Sequence, residues 1–193
     1  MLSLPAAPAA QPRRQLFVGT ALACSAGAAL FGSMLALWLR FRTDALSIAD
    51  GVWMPETVKV PEVAANVMFI AFLPICVLAQ WAVYAARRDD KHGTALALSL
   101  VALLGFAVLN AQAFVYSQMH VAVSDGAFGS MFYAVTGVFT LLLLLGIGFS
   151  LITAFRYLGG RTGDREIVSA HALYWYFLSV AFVALWLVIY VTK

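Results

Sequence analysis

The stretch AFGSMFYAVTGVFTLLLLLGIGFSLITAF, Ala127 to Phe155, holds no charged residue from one end to the other. A helix rises about 1.5 Å per residue, so a run of this length exceeds the roughly 30 Å hydrocarbon core of a bilayer. It reads as a membrane-spanning helix, long enough to tilt or to project past the bilayer. Gln15 to Leu39, Val63 to Ala85, Thr94 to Tyr116 and Val168 to Val191 also meet the requirement of about 20 apolar residues. The expected fold is all-α: a polytopic membrane protein with five transmembrane helices, at about 15–39, 63–85, 94–116, 127–155 and 168–191.

Composition agrees. Of 193 residues, 63% are hydrophobic and 11% are charged, where a soluble domain has about a quarter of its residues charged. Residues 1–14, MLSLPAAPAAQPRR, read as a disordered Ala/Pro-rich tail. The run after them is too long for the apolar region of a cleaved signal. Residues 15–193 then form a single five-helix membrane domain.

Loop charges set the expected orientation. With the N-terminus inside, Arg13, Arg14, Arg87, Arg88, Lys91, Arg156, Arg161 and Arg165 lie on the inner side. Arg40, Arg42, Lys59 and Lys193 lie outside, so 8 of the 12 basic residues are internal. Lysine and arginine favour cytoplasmic loops, which predicts a cytoplasmic N-terminus and an outside C-terminus. The external segment SQMHVAVSDG has neither residue. The net charge of +3 is thereby explained by topology, and no basic cluster interleaved with aromatics suggests nucleic acid.

Small residues recur at every fourth position of the first helix: Gly19, Ala23 and Gly27, then Ala28, Gly32 and Ala36. Such stripes let helices approach closely, so most of one side of this helix is expected to be buried. Gly137, Gly146 and Gly148 give the fourth helix the same expectation. Pro74 should kink the second helix and leave the Ile70 carbonyl unpaired. Trp53, in the long first loop, is expected to anchor at the membrane interface.

Asn66, Gln80, Asn110 and Gln112 are the polar residues expected at membrane depth, bonded to neighbouring helices. No Asp, Glu, Lys or Arg falls near a helix centre, which argues against an autonomous pump, carrier or voltage sensor. Cys24 and Cys76 read as small buried hydrophobes. His92 and His120 fall in loops on opposite sides, and His171 reads as a satisfied interfacial side chain near the start of the fifth helix. A haem between helices needs ligands at matched depth, and these three do not supply them.

SDGAFGSMFYAVTG, at the entrance of the fourth helix, carries Ser124, Asp125, Gly126, Phe128, Gly129, Ser130, Phe132, Tyr133, Thr136 and Gly137. These resemble the pattern S-D-G-x-[YF]-G-S-x-F-[FY]-x-x-T-G of subunit III of the haem–copper cytochrome c oxidases. LNAQAFVY resembles that family at Gln112 and Tyr116, and VPEVAANVMF at Pro61 and Asn66. ALYWYFLSVAFVALWLVIYVTK resembles its terminus at Tyr174, Trp175, Phe177, Val180 and Tyr190. The resemblance spans the chain after the tail, in the short five-helix bacterial form.

Departures accompany it. Ala26, Val115, Phe139, Leu142, Tyr176 and Ser179 stand where the family commonly has Glu, Glu, His, His, His and Asp. The resemblance implies an accessory, non-catalytic subunit in the cytoplasmic membrane of an aerobic bacterium. It implies no catalytic residue and no cofactor in this chain, with haem and copper in partner subunits I and II. It also implies bound phospholipid and places the complex in the respiratory chain, where larger supercomplexes form. Ser124 and Asp125 would cap the fourth helix, and Gly129 and Ser130 would allow close helix approach. Arg87, Arg88 and Arg156 are candidates for lipid headgroups. A subunit III-like part of a quinol oxidase or nitric oxide reductase is an alternative, and a stand-alone transporter a distant one.

Overall fold

The computed structural model describes residues 14–48, 51–55, 58–124 and 126–192. These form α1 (Gln15–Leu46), α2 (Glu62–Arg87), α3 (Lys91–Met119), α4 (Gly126–Leu158) and α5 (Arg165–Leu185), which continues as a π-helical segment, Trp186–Val191. Five helices, the last including the π-helical segment, are long and apolar enough to cross a membrane.

The helices outrun the apolar windows that announced them. α1 continues to Leu46 through Arg40 and Asp44, which lie one turn apart with 3.8 Å between Nε and Oδ2. Apolar runs mark where a helix meets hydrocarbon; its hydrogen bonds continue into water wherever side chains permit. α2 and α3 are joined by a tight turn in which Asp89 takes a left-handed φ of 58°, a region that Asp tolerates better than most residues. The next residue, Asp90, caps α3 by accepting from Gly93 N at 2.9 Å. At the other end of α3, His120 is left-handed with φ 50°. α2 runs through Pro74 as continuous helix, and the missing Pro74 N–H deprives the Ile70 carbonyl of its usual donor.

α2, α3 and α4 pack as successive antiparallel neighbours, and α5 lies against α1, α2 and α4. Two hydrogen bonds hold α1 parallel to α5. Phe17 N donates to Glu166 Oε1 at 2.9 Å near their starts, and Arg42 Nη2 donates to the Thr192 carbonyl at 2.9 Å near their ends. The bundle thus has a charged end, with Asp89, Arg156, Asp164 and Arg165, and an aromatic end, with Trp38, Trp53 and Phe128.

Phe139 occupies the middle of the core. Its ring centroid lies 6.4 Å from Phe31 of α1, 6.2 Å from Phe72 of α2 and 5.2 Å from Phe182 of α5. Two glycines, one in α3 and one in α4, make room for the rings of Trp175 and Tyr174. A Cβ at Gly105 would fall 2.9 Å from Trp175 Cη2 and 2.8 Å from Ile147 Cγ1. One at Gly146 would fall 3.0 Å from Tyr174 Cε1.

Three expectations are corrected. The small stripes of α1 are not buried within this chain: Gly19, Ala23, Ala28, Gly32 and Ala36 are exposed. Only Gly27 makes a close approach, with a Cβ there 3.0 Å from Phe177 Cζ. The buried face is instead Cys24, Phe31, Leu35 and Trp38, because the long side chains of Phe31, Leu35 and Trp38 reach other helices and gain dispersion contacts there. On α4, Gly146 packs closely, but Gly137 and Gly148 face open space. Trp53 is buried, edge-on to Trp38 with centroids 5.1 Å apart and 5.6 Å from Phe128. The residues around it fold back over the bundle, giving the indole a closer apolar partner than the interface.

Candidate functional site

The entrance to α4 is tied to the connection that precedes it. Gly126 opens the helix with φ +69°, a left-handed value that glycine adopts without steric cost. Ser130 Oγ donates to the Val123 carbonyl at 3.0 Å, and Tyr133 OH donates to the Val121 carbonyl at 2.8 Å. Two residues of the helix thus satisfy carbonyls of the approaching strand of chain. Tyr116 of α3 reaches across and donates to Thr136 Oγ1 at 2.9 Å, and Thr136 in turn donates to the Phe132 carbonyl at 2.6 Å.

Gly129 is buried, Ser124 is exposed, and Gly137 is exposed. Asp125 lies outside the described residues, so its capping role has no geometry here. Among the described residues, the motif fastens the α3–α4 connection through neutral hydrogen bonds.

A second set of polar contacts runs along the seam between α2 and α5. Trp186 Nε1 donates to Asn66 Oδ1 at 3.0 Å, Cys76 Sγ lies 3.1 Å from Ser179 Oγ, and Tyr176 OH donates to Gln80 Oε1 at 2.6 Å. Arg165 closes the seam at the charged end on Asp89. Tyr176 and Ser179 are two of the positions where the sequence departs from the resembled pattern. Both are half-buried and keep a polar partner. Phe139, Val115 and Leu142 instead have apolar roles: Phe139 and Val115 are fully buried, and Leu142 lends its carbonyl to Tyr174 OH at 2.7 Å. Ala26 is exposed.

The expectation that polar residues at depth bond to neighbouring helices holds for Asn66 and Gln80. It fails for the other two. Asn110 is exposed and makes no side-chain hydrogen bond among the described residues. Gln112 is 1% exposed, and neither end of its amide has a partner.

His171 also departs from expectation. It is fully buried rather than interfacial, with Nε2 2.7 Å from Ser150 Oγ. Trp175 Nε1 donates to the same oxygen at 2.9 Å, and Ser150 Oγ reaches the Gly146 carbonyl at 3.0 Å. Residue spacing gave no sign of this knot. Ser150 is one hydroxyl in a long apolar run, and only the packing of α4 on α5 brings His171 and Trp175 to it.

At the charged end, Arg156 pairs with Asp164, and both remain partly exposed. Arg156 also lines a shallow cleft of about 390 Å³ with Ile152, Phe155 and Arg161. Arg87 lines a different cavity, of about 560 Å³, with Arg14, Arg165 and Glu166. The candidate headgroup residues are therefore divided between two clefts, and Arg88 is exposed beside them. Among the described residues, no group of three or more His, Cys, Asp or Glu is placed to hold a metal ion.

This geometry fastens helices and offers basic clefts at one end. The family model for cytochrome c oxidase subunit III matches residues 20–193 of the chain. A protein of Rickettsia conorii named "Probable cytochrome c oxidase subunit 3" is 28% identical, over 93% of this chain and 68% of its own length. The "Cytochrome c oxidase subunit 3" of Corynebacterium diphtheriae is 27% identical, over 90% of this chain and 86% of its own length.

Proposed function

The chain belongs to the cytochrome c oxidase subunit III family, and from that premise we propose how it serves its complex. The family is an accessory subunit of haem–copper oxidases and takes part in the respiratory chain. In this reading the chain packs beside subunits I and II in a bacterial cytoplasmic membrane and stabilises the oxygen-reducing subunit I. The charged end faces the cytoplasm, and the clefts at Arg156 and Arg87 hold the anionic headgroups of phospholipids.

The observation that carries this reading is the open small-residue face of α1. Ala28, Gly32 and Ala36, which share one stripe at four-residue spacing, are exposed within the chain. Without a hydrophobic driving force in lipid, close backbone approach is a main source of helix association. That face suits a helix of another subunit. Neutral polar contacts elsewhere in the bundle leave the proton-linked roles of ionisable residues to the partners.

A tag on the N-terminal tail tests the proposal. Capture from detergent-solubilised membranes should recover subunits I and II and a haem absorbance spectrum. Replacing Ala28 and Gly32 together by Leu should reduce that recovery while leaving the chain itself in the membrane. Recovery of the chain alone, without haem absorbance, would overturn the assignment of partners. Mass spectrometry of the purified complex should find phospholipid, with less retained after Arg156→Ala.

A further inference from the structure

Gln112 and Tyr190 present a problem that the apolar core does not solve. Gln112 is 1% exposed and Tyr190 is 3% exposed. Gln112 Oε1, Gln112 Nε2 and the Tyr190 hydroxyl all lack hydrogen-bond partners. The hydroxyl lies close enough to the amide to interact with it, yet no hydrogen bond of regular geometry joins them. A buried polar atom left unsatisfied costs about 1–3 kcal/mol. A simple apolar core would place leucines at both positions.

The backbone at Tyr190 is also distorted. Trp186–Val191 is π-helical, and Thr192 N bonds to the Leu187 carbonyl, five residues back, at 3.0 Å. Wider turns of this kind are rare and concentrate at functional sites. Ile189 and Tyr190, both within this segment, are buried.

Tyr190 also lines a cavity of about 240 Å³ at the aromatic end, with Glu62, Asn66 and Trp186. One side of this tyrosine therefore meets the cavity, and its hydroxyl meets the amide.

We propose that Gln112 and Tyr190 form a buried hydration site, in which ordered water bridges the amide to the hydroxyl and exchanges with the aqueous phase through the cavity beside Asn66. The chemistry selects water. The amide offers two donors and an acceptor, and the hydroxyl offers one of each. A buried water needs two to four polar partners, and its share of liquid volume is about 30 Å³. The pair supplies the partners, and the 240 Å³ cavity has room for several such molecules. The site makes the aromatic end of the bundle wet on the inside, where α3 meets the π-helical segment.

X-ray radiolytic footprinting of the intact detergent-solubilised complex tests this. Water bound beside a side chain generates hydroxyl radicals in place, so a buried residue is oxidised only where it touches water. Tyr190 should be oxidised at least fivefold faster than Phe182, after correction for intrinsic reactivity. Phe182 is the control because it is fully buried between Phe72 and Phe139. The oxidation should persist when tert-butanol scavenges radicals from bulk solvent, and it should fall toward the Phe182 rate in Gln112→Leu.

Equal protection of Tyr190 and Phe182 in the unaltered protein would overturn the proposal, whether or not any variant assembles. So would loss of the signal on adding scavenger, which would mean bulk exposure. An unchanged rate in assembled Gln112→Leu would also overturn it, because the amide would then hold no water.

Discussion

Arg165 donates from Nη2 to both carboxylate oxygens of Asp89, at 2.6 and 2.7 Å, and so ties the first turn of α5 to the turn between α2 and α3. The side chains are 50% and 66% exposed. Exposed ion pairs contribute about 0.2–1 kcal/mol, so their geometry matters more than their energy. A double-mutant cycle with Arg165→Ala and Asp89→Asn should give a coupling below about 1 kcal/mol, read as thermal stability of the detergent-solubilised complex. Asn is the right replacement because it also tolerates the left-handed backbone. A coupling above about 3 kcal/mol would mean that the pair is buried in the assembly.

Gly105 and Gly137 make opposite predictions from the same residue type. A Cβ at Gly105 would press on Ile147 and Trp175, and one at Gly137 would meet nothing within the chain. Gly105→Ala should destabilise by about 1–3 kcal/mol, the usual cost of overpacking. Gly137→Ala should not destabilise the chain itself. Thermal aggregation of the two purified variants checks this, and equal midpoints would sink the packing argument.

Ser150→Ala removes the one oxygen that serves both His171 Nε2 and Trp175 Nε1. Each buried nitrogen left without a partner costs about 1–3 kcal/mol. The variant should show reduced assembly on native gels, and Ser150→Thr should retain more of it than Ala. Indole fluorescence supplies a second readout, because Trp175 loses its hydrogen-bond acceptor. Normal assembly with an unchanged spectrum would show that the hydroxyl is dispensable.

Tyr133→Phe deletes the bond to the Val121 carbonyl and leaves the ring contacts with Tyr116 and Phe132 in place. A loss of about 1 kcal/mol follows from one hydrogen bond. Amide exchange should rise in the connection after Met119 and stay unchanged near Trp175. Uniform acceleration throughout the chain would point to global rather than local loosening.

The departures from the family pattern can be tested by reversal. Tyr176→His should be tolerated, since this half-buried position already faces the Gln80 amide. Phe139→His should cost several-fold in assembled complex, because its fully buried site is ringed by Phe31, Phe72 and Phe182. A buried polar group without a partner is unfavourable there. Equal yields on a native gel would refute this division of the two positions.

The five spans could be read from hydropathy because lipid exposure demands long uninterrupted apolar runs, and each run supplied one. The residues of the α4 entrance could be read from their pattern, and the structure joins Tyr116 to Thr136 through a hydrogen bond. What could not be read was which side of each helix faces another. In α1 the small residues looked like the seam, yet Phe31, Leu35 and Trp38 form it. Every face of a membrane helix is apolar, so periodicity loses the contrast that marks a buried face in water. Trp53 misled for a related reason, since an indole suits an interface and an aromatic cluster equally. The His171–Ser150 pair was hidden because it is made by two helices whose relative rotation no local pattern records.

The position of α5 has a consequence for how the protein is made. Helices leave the ribosome in chain order, and domains form as their parts become available. α3 and α4 can each pair with the helix synthesised just before, since α2 packs on α3 and α3 on α4. α1 cannot, because its main neighbours are α4 and α5. α1 therefore stands without its main partners until α4 and α5 have been translated. Release of a chain ending before Arg165 would leave Gly27 without the Phe177 ring and the Phe17 N–H without Glu166. Quality control could distinguish such a product by an α1 that lacks the larger of its two partners.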